Sequence, residues 1–297
     1  MPNKPKVLVL LSTYNGEKYL REQLDSIFNQ VDVDVEVFAS DDLSKDGTVA
    51  ILEEYSKSHK LTFRINKENK NFTYNFLDLI YDSINKDFDY FSLADQDDFW
   101  QEDKLISAIK LLREKSVQFY CSNLTTVDGE LKNPKLMNHF KDNRKGHAHL
   151  LLENICTGCT SVFTKEFAVH LGKHYPEKIY LHDYWLMLVA AFSSSYIYDT
   201  SSYILYRQHG DNQIGSNQES LSAYYQKYKS SKSFRIHLVE ELLEGFKDDI
   251  SKEDKEHLNT FLNYKKFKNK MKIFFSVKFK TYNHSFLRKV KVLMNKY

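Results

Sequence analysis

The sequence predicts an α/β fold: a mostly parallel, Rossmann-like central sheet followed by a C-terminal helical extension. Three observations carry this. Apolar runs of strand length alternate with amphipathic segments of helix length through the first third of the chain. Polar or acidic clusters follow three of those runs directly, at Thr13–Tyr14–Asn15, at Asp41–Asp42, and at Asp95, Asp97 and Asp98. From Glu219 onward turn signals become sparse and the pattern is helical to the end. At 297 residues the chain can bury a full core.

In chain order, Lys6 to Leu11 is an unbroken apolar run, the pattern of a strand buried on both faces. A polar turn follows, then a helix with Leu20, Leu24, Ile27 and Phe28 on one face. Val33 to Ala39 is the next strand, and SKDGT turns the chain into a helix carrying Ile51, Leu52 and Tyr55. Leu61 to Ile65, Phe72 to Ile84 and Phe88 to Ala94 read as strand, helix and strand. Lys104 to Leu112 is helical, Val117 to Thr126 a further strand, and Asp128 to His147 a polar loop. KEFAVHL begins a short helix, His182 to Phe192 is a buried helix, and Ser195 to Tyr206 supplies one or two strands.

The acidic cluster in LADQDDFW is the chemical centre of this pattern. Ligands of open α/β sheets bind at the carboxyl ends of strands, and the three polar clusters all fall there. Carboxylates this close repel unless a cation lies between them, and a hard divalent ion held by oxygens is the usual answer. The structural alternative is helix capping: Asp97 or Asp98 before the Lys104 helix, Asp41 before SKDGT, and Asp183 before the apolar helix Tyr184 to Phe192. Thr13 to Asn15 equally suits a plain polar turn.

The formal charge of +2 hides an asymmetry. Residues 264–297 carry eleven Lys or Arg and no Asp or Glu, which leaves 31 basic against 40 acidic residues in 1–263. The tail interleaves these cations with Phe267, Phe274, Phe275, Phe286, Leu287 and other apolar residues, the composition of an interfacial helix on anionic lipid. Nucleic acid, a packed face or a partner subunit in a homodimer are its alternatives, but nothing earlier in the chain resembles a nucleic-acid module. Three cysteines make no disulfide framework. Cys156-x-x-Cys159 has no second pair to complete a zinc site. No signal-peptide pattern and no apolar span of ~18 residues or more is present. These features lead us to expect a cytoplasmic protein, peripheral at the inner face of the cell membrane.

STYNGEKYL, SDDLSKDGT, ADQDD, HDYW and YRQHGDNQIG, in this order over roughly residues 5–215, resemble the motifs of glycosyltransferase family 2. That resemblance implies the GT-A fold, a nucleotide-sugar donor, inversion at the anomeric carbon and a Mg²⁺ or Mn²⁺ cofactor. It also implies a GT-A domain over 1–215, with 216–297 a helical region that associates with a membrane or dimerises. DQDDFW, CTGCT, HDYW and YRQHGDN look like the bacterial branch that transfers L-rhamnose from dTDP-rhamnose in cell-wall and capsular polysaccharide synthesis, with a lipid-linked glycan as acceptor.

The family's residue roles then fall on named positions. Thr13, Tyr14 and Asn15 cradle the nucleotide, and Asp42, with Asp41 nearby, hydrogen-bonds the pyrimidine. Asp95 contacts sugar or ribose, Asp97 holds the metal, and Asp98 is left between a supporting role and a cap. Asp183 is the catalytic base, with His182, Trp185 and Gly158 on the acceptor side. Arg207 contacts the diphosphate, and His209 contacts it too or ligates the metal, unless it is an ordinary loop histidine. Other classes fit less well. A UDP-hexose donor such as UDP-galactose or UDP-glucose keeps the same chemistry. A sugar nucleotidyltransferase wants a Gly- and Arg-rich loop after the first strand, and a dinucleotide enzyme wants GxGxxG there; LLSTYNGEKYL offers neither. A non-catalytic assembly subunit need not keep every reactive position filled.

Overall fold

The computed structural model describes residues 4–138, 146–208, 234–282 and 284–294. Residue contacts divide the chain into two compact units that alternate along the sequence: 1–139, 156–172 and 196–209 in the first, 140–155, 173–195 and 210–297 in the second. The domain boundary expected after residue 215 lies outside the described residues.

The first unit is built on one sheet. Its strands are β1 (Lys6–Thr13), β2 (Asp34–Asp41), β3 (Leu61–Ile65), β4 (Tyr90–Ala94), β5 (Phe99–Trp100), β6 (Phe119–Val127), β7 (Lys135–Leu136), β8 (Val162–Thr164) and β9 (Tyr196–Arg207). Among the described residues the order is β3-β2-β1-β4-β8-β6-β9-β5, with β7 beside β6. The first four strands are parallel neighbours, as alternating strands and helices require. β8 then enters antiparallel between β4 and β6, and β6 pairs in parallel with β9. The central position of β1 explains its composition: Val7 to Leu11 are all buried, because helices cover both faces of a parallel sheet.

The helices of this unit are α1 (Leu20–Phe28), α2 (Thr48–Ser58), α3 (Asn71–Ser83), α4 (Lys104–Lys115) and α5 (Lys165–Leu171). Leu20, Leu24 and Ile27 of α1, Ile51, Leu52 and Tyr55 of α2, and Leu105, Ile109 and Leu112 of α4 join Val7, Val9, Leu11 and Val37 in one core cluster. The apolar spacing of each helix is what assigns it to this side of the sheet.

Helix starts bear on the capping alternatives. α4 begins at Lys104 with Asp103 in the cap position, so neither Asp97 nor Asp98 caps it. Gly47 holds the cap position of α2, so Asp41 is not that cap. The pairs β5 and β7 lie below what a period-two pattern can reveal, being two residues each.

The second unit contains α6 (His182–Ser193), α7 (Phe234–Phe246), α8 (Lys252–Leu262), α9 (Phe267–Phe275) and α10 (Ser285–Leu293). α6 is apolar on all sides and buried from Tyr184 to Phe192. Among the described residues no helix is long and apolar enough to cross a membrane.

Candidate functional site

The carboxyl ends of β1, β2 and β4 bring the three polar turns of the first unit together. Register alone places Thr13 opposite Asp41 and Leu11 opposite Ala94. Side chains then lock the turns. Thr13 Oγ1 donates to Asp41 Oδ2 at 3.4 Å, and the Asp42 amide donates to the Thr13 carbonyl at 2.8 Å. Asn15 adopts φ 49°, a left-handed conformation that Asn tolerates. Its Oδ1 accepts from the Lys45 amide and its own amide donates to Ser44 Oγ, each at 2.8 Å.

Asp41 and Asp42 are both buried. Asp41 Oδ1 accepts from the Ser44 amide at 2.9 Å. Asp42 Oδ1 accepts from Asn66 Nδ2 at 2.9 Å and the Lys70 amide at 2.8 Å, while Oδ2 accepts none among the described residues. Asn66 in turn donates to Asn75 Oδ1 at 2.9 Å, and Asn75 donates to Ser12 Oγ and the Ser40 carbonyl. This amide relay fixes one oxygen of Asp42. Neither Asn66 nor Asn75 stands out in the sequence, where each reads as an ordinary polar residue.

Gln96, the residue inside the D-x-D, latches the acidic turn to the Thr13–Asn15 turn after β1. Its Oε1 accepts from the Tyr14 amide at 2.8 Å and its Nε2 donates to the Tyr14 carbonyl at 3.0 Å. Glycine at position 16 makes room for it: a Cβ there would stand 2.2 Å from Gln96 Oε1.

Asp95, Asp98 and Cys159 place one ligand-type atom each within 4.8 Å of one another. Asp97 does not belong to that group; its carbonyl accepts from Arg207 Nε at 2.9 Å. Asp98 is fully buried, and its Oδ2 has no hydrogen-bond partner among the described residues. Burial, then the charges of Asp97 and Asp95, push the Asp98 carboxyl well above the usual carboxylate range. Burial and the neighbouring Asp98 likewise push up the Cys159 thiol. A hard divalent cation fits this donor set. Two carboxylates suffice when phosphates and waters complete the shell, whereas a protonated thiol is a poor ligand for such an ion. The unpartnered Oδ2 of Asp98 leaves a lone pair that such an ion can take up.

A buried lysine lies below the cluster. Lys104 is 2 % exposed, donates to Ser92 Oγ at 3.1 Å and stands 3.5 Å over the Trp100 ring. Burial lowers its pKa to about 7, against the attraction of Cys159 and Asp98. In sequence it reads as an exposed residue at a helix start, so no local signal marks it.

Arg207 departs from the expected diphosphate contact. Its guanidinium is buried and committed: Nε to the Asp97 carbonyl, one amino group to the Gly129 carbonyl at 2.6 Å, the other to Glu22, with the Tyr19 ring 4.4 Å away. Its amide also donates to Asp98 Oδ1 at 3.3 Å. Arg207 therefore holds the acidic turn in place. His209 lies outside the described residues. Gly158 opens the buried 3-10 turn Gly158–Thr160, where its carbonyl accepts from Ser161 Oγ at 2.6 Å.

In the second unit, Asp183 sits in the first turn of α6, half-buried, and its Oδ1 accepts from the Tyr184 amide at 2.6 Å. Leu181 occupies the cap position, so Asp183 is not the cap. Trp185 is 0 % exposed and packs against His174 and Phe246, an environment that suits a core residue better than the acceptor contact expected of it. His182 is also buried, and burial lowers its pKa to about 3, so its imidazole is neutral. That environment fits a core histidine better than the acceptor contact expected of it.

A shallow charged cleft of about 400 Å³, lined by Lys6, Asp87, Asp89, Tyr90, Arg113 and Glu166 among others, lies at the amino ends of β1 and β4. It is at the opposite strand ends from the carboxylates and takes no part in the site.

A parallel-led sheet with a buried Asp pair and an acidic D-x-D turn at its carboxyl ends defines the class: a GT-A glycosyltransferase. The chain belongs to glycosyl transferase family 2, whose family model matches residues 8–172. It is 34 % identical over 219 residues to the dTDP-rhamnosyl transferase RfbG of Shigella flexneri, covering 70 % of this chain and 74 % of that protein. It is 28 % identical over 214 residues to an uncharacterised glycosyltransferase of Rickettsia typhi, covering 69 % and 64 % of the two chains. Among solved structures, S. aureus TarS 1-349 superposes with a TM-score of 0.62 at 16 % identity, covering 98 % of this chain and 78 % of that one. A mannosyltransferase from Pyrobaculum calidifontis, in complex with GDP-Man and Mn²⁺, gives 0.56 at 17 %, covering 99 % and 75 %. Those two likenesses concern the fold alone.

Proposed function

We propose that this glycosyltransferase moves L-rhamnose from dTDP-rhamnose, with inversion, onto a hydroxyl of a lipid-linked glycan during bacterial surface-polysaccharide synthesis. It would act at the cytoplasmic face of the membrane. The observation that carries the donor assignment is the 34 % identity to a dTDP-rhamnosyl transferase across most of both chains.

In this reading the nucleotide lies on the Thr13–Asn15 turn, where backbone groups and the Asn15 side chain are already oriented. The uncommitted Oδ2 of Asp42 accepts from the thymine N3–H, and the Asn66–Asn75 relay holds that carboxylate in orientation. A carboxylate there rejects cytosine, whose N3 has no hydrogen. Asp95 and Asp98, with Asp97 beside them, would hold Mg²⁺ or Mn²⁺. Such an ion, when bound, neutralises the diphosphate and makes it a better leaving group. Asp183 accepts the proton of the acceptor hydroxyl as its oxygen bonds to the anomeric carbon. The bond from that carbon to the phosphate oxygen breaks with it, and dTDP leaves. A carboxylate in the first turn of a helix faces the positive end of the helix dipole, and its bond from the Tyr184 amide orients it for that task.

Thermal stabilisation of the purified chain by dTDP-rhamnose, UDP-glucose, UDP-galactose, UDP-N-acetylglucosamine and GDP-mannose, each with and without Mn²⁺, tests this reading. A metal-dependent shift with dTDP-rhamnose alone supports it. A shift with a UDP-sugar instead replaces the rhamnosyl assignment and keeps the chemistry. No shift with any donor overturns it.

A further inference from the structure

We propose that the α9–α10 region docks the protein on an anionic lipid bilayer, with Phe275, Val277, Phe286 and Leu287 entering the headgroup boundary. This deepens the proposal of a lipid-linked acceptor, but it stands on observations of its own.

The two helices and the turn between them already have a packed side. Ile273, Phe279 and Val292 are buried to within 1 % of full burial, and Lys270 Nζ donates to the Leu293 carbonyl at 3.0 Å. Lys289 Nζ closes the end of α9 onto α10, donating to the carbonyls of Phe274 at 2.9 Å and Ser276 at 2.7 Å. A second apolar side is left to solvent. Phe275 is 71 % exposed, Val277 81 %, Phe286 69 % and Leu287 58 %. Phe274 bridges two of these, its ring centroid 5.2 Å from that of Phe275 and 6.3 Å from that of Phe286. Apolar groups so exposed, yet unused by the fold, mark an interaction surface.

Charge identifies the occupant. Lys265, Lys266, Lys268, Lys280 and Lys291 are exposed and enter no ion pair among the described residues, and residues 264–297 contain no acidic side chain. A second copy docking by two-fold symmetry would bring these cations against themselves, which opposes association. Nucleic acid could stack on the phenylalanines but offers nothing to Val277 and Leu287. An anionic bilayer takes both: phosphates for the lysines, and an apolar interior for aromatic and aliphatic groups alike.

The test is co-flotation of the full-length protein with vesicles of phosphatidylcholine, with and without about one-third phosphatidylglycerol. We expect flotation only with the anionic vesicles, diminishing as salt is raised. Replacing Phe275 and Phe286 together by Ser should lower vesicle partitioning by tenfold or more, about the effect of withdrawing two rings from an apolar phase. Lys265→Glu, Lys266→Glu and Lys268→Glu together should lower it about a hundredfold. Because all five side chains are exposed, the melting temperature and any donor-induced thermal shift should be unchanged, so failure of the donor assignment and failure of docking are read separately. Absence of flotation on anionic vesicles overturns the proposal. So does a wild-type dimer that the Phe275 and Phe286 substitutions split, which would assign the patch to a second copy.

Discussion

The carboxamide of Gln96 grips the backbone of Tyr14 with both of its polar atoms, accepting from the amide at 2.8 Å and donating to the carbonyl at 3.0 Å. The middle residue of the D-x-D thereby becomes a mechanical link between the acidic turn after β4 and the Thr13–Asn15 turn after β1. Linked, they hold one geometry.

Loss of that link should weaken donor binding more than it weakens the fold. Gln96→Ala is expected to reduce donor affinity about tenfold, the effect of about 1.4 kcal/mol. Gly16→Ala should do the same by displacing Gln96, since the new Cβ would meet Oε1. In the double variant the clash partner is gone, so the two losses should fall well short of adding. Isothermal titration with the donor gives all three values, and full additivity would show that Gly16 acts independently of Gln96.

Asp98 is expected to matter to metal binding at least as much as Asp97, despite its burial. Asp98→Asn keeps the shape but cannot ionise, so the donor-induced thermal shift should lose its dependence on Mn²⁺. Asp97→Asn, whose carboxylate lies outside the Asp95–Asp98–Cys159 group, should weaken that dependence less. The reverse ranking would return the ligand role to Asp97.

Asp183→Asn should leave the donor-induced shift intact and slow transfer by ~10²–10⁴-fold, the usual contribution of a general base. Product formation measured by chromatography checks this, and turnover at the wild-type rate discards the base assignment.

His182 makes stability depend on pH. Its folded-state pKa is lowered to about 3 by burial, so between about 6.5 and 3 the unfolded chain binds a proton that the folded chain does not. Stability contributed by the neutral buried ring is therefore present above about pH 6.5 and is lost as pH falls toward 3. From pH 6.5 to 4.5 the loss amounts to about 2–3 kcal/mol. Urea unfolding of wild type and His182→Gln at the two pH values isolates it from the carboxylates: the variant should lose less stability on acidification by about that amount. Equal losses in the two proteins would show that His182 is already charged or solvated when folded.

Apart from β5, the order of strands and helices through α4 was legible because each reports itself locally. An apolar run such as Val7 to Leu11 must be buried on both faces, and Leu20, Leu24 and Ile27 can share a face only on a helix. The turns carrying Thr13, Asp41 and Asp95 were legible for the same reason, since they end those strands. The two-residue strands β5 and β7 were not, being shorter than any period. Strand β8 was hidden in the CTGCTSVF run because its antiparallel place between β4 and β6 depends on partners distant in sequence.

Within the site, residue type and chemistry agree where a side chain acts through its charge, as the acidic clusters do. They part where burial decides. Arg207 and Trp185 look like ligand contacts in the sequence, yet the fold commits the guanidinium to Asp97, Gly129 and Glu22 and encloses the indole against Phe246. Lys104 looks like solvent-facing charge and lies buried over Trp100. The sequence by itself determined the family, the sheet and the carboxylates at its strand ends, because local periodicity and charge suffice for these. Only the tertiary structure decided which polar groups remain free to meet a ligand, because hydrogen-bond partners and desolvation come from residues far apart along the chain.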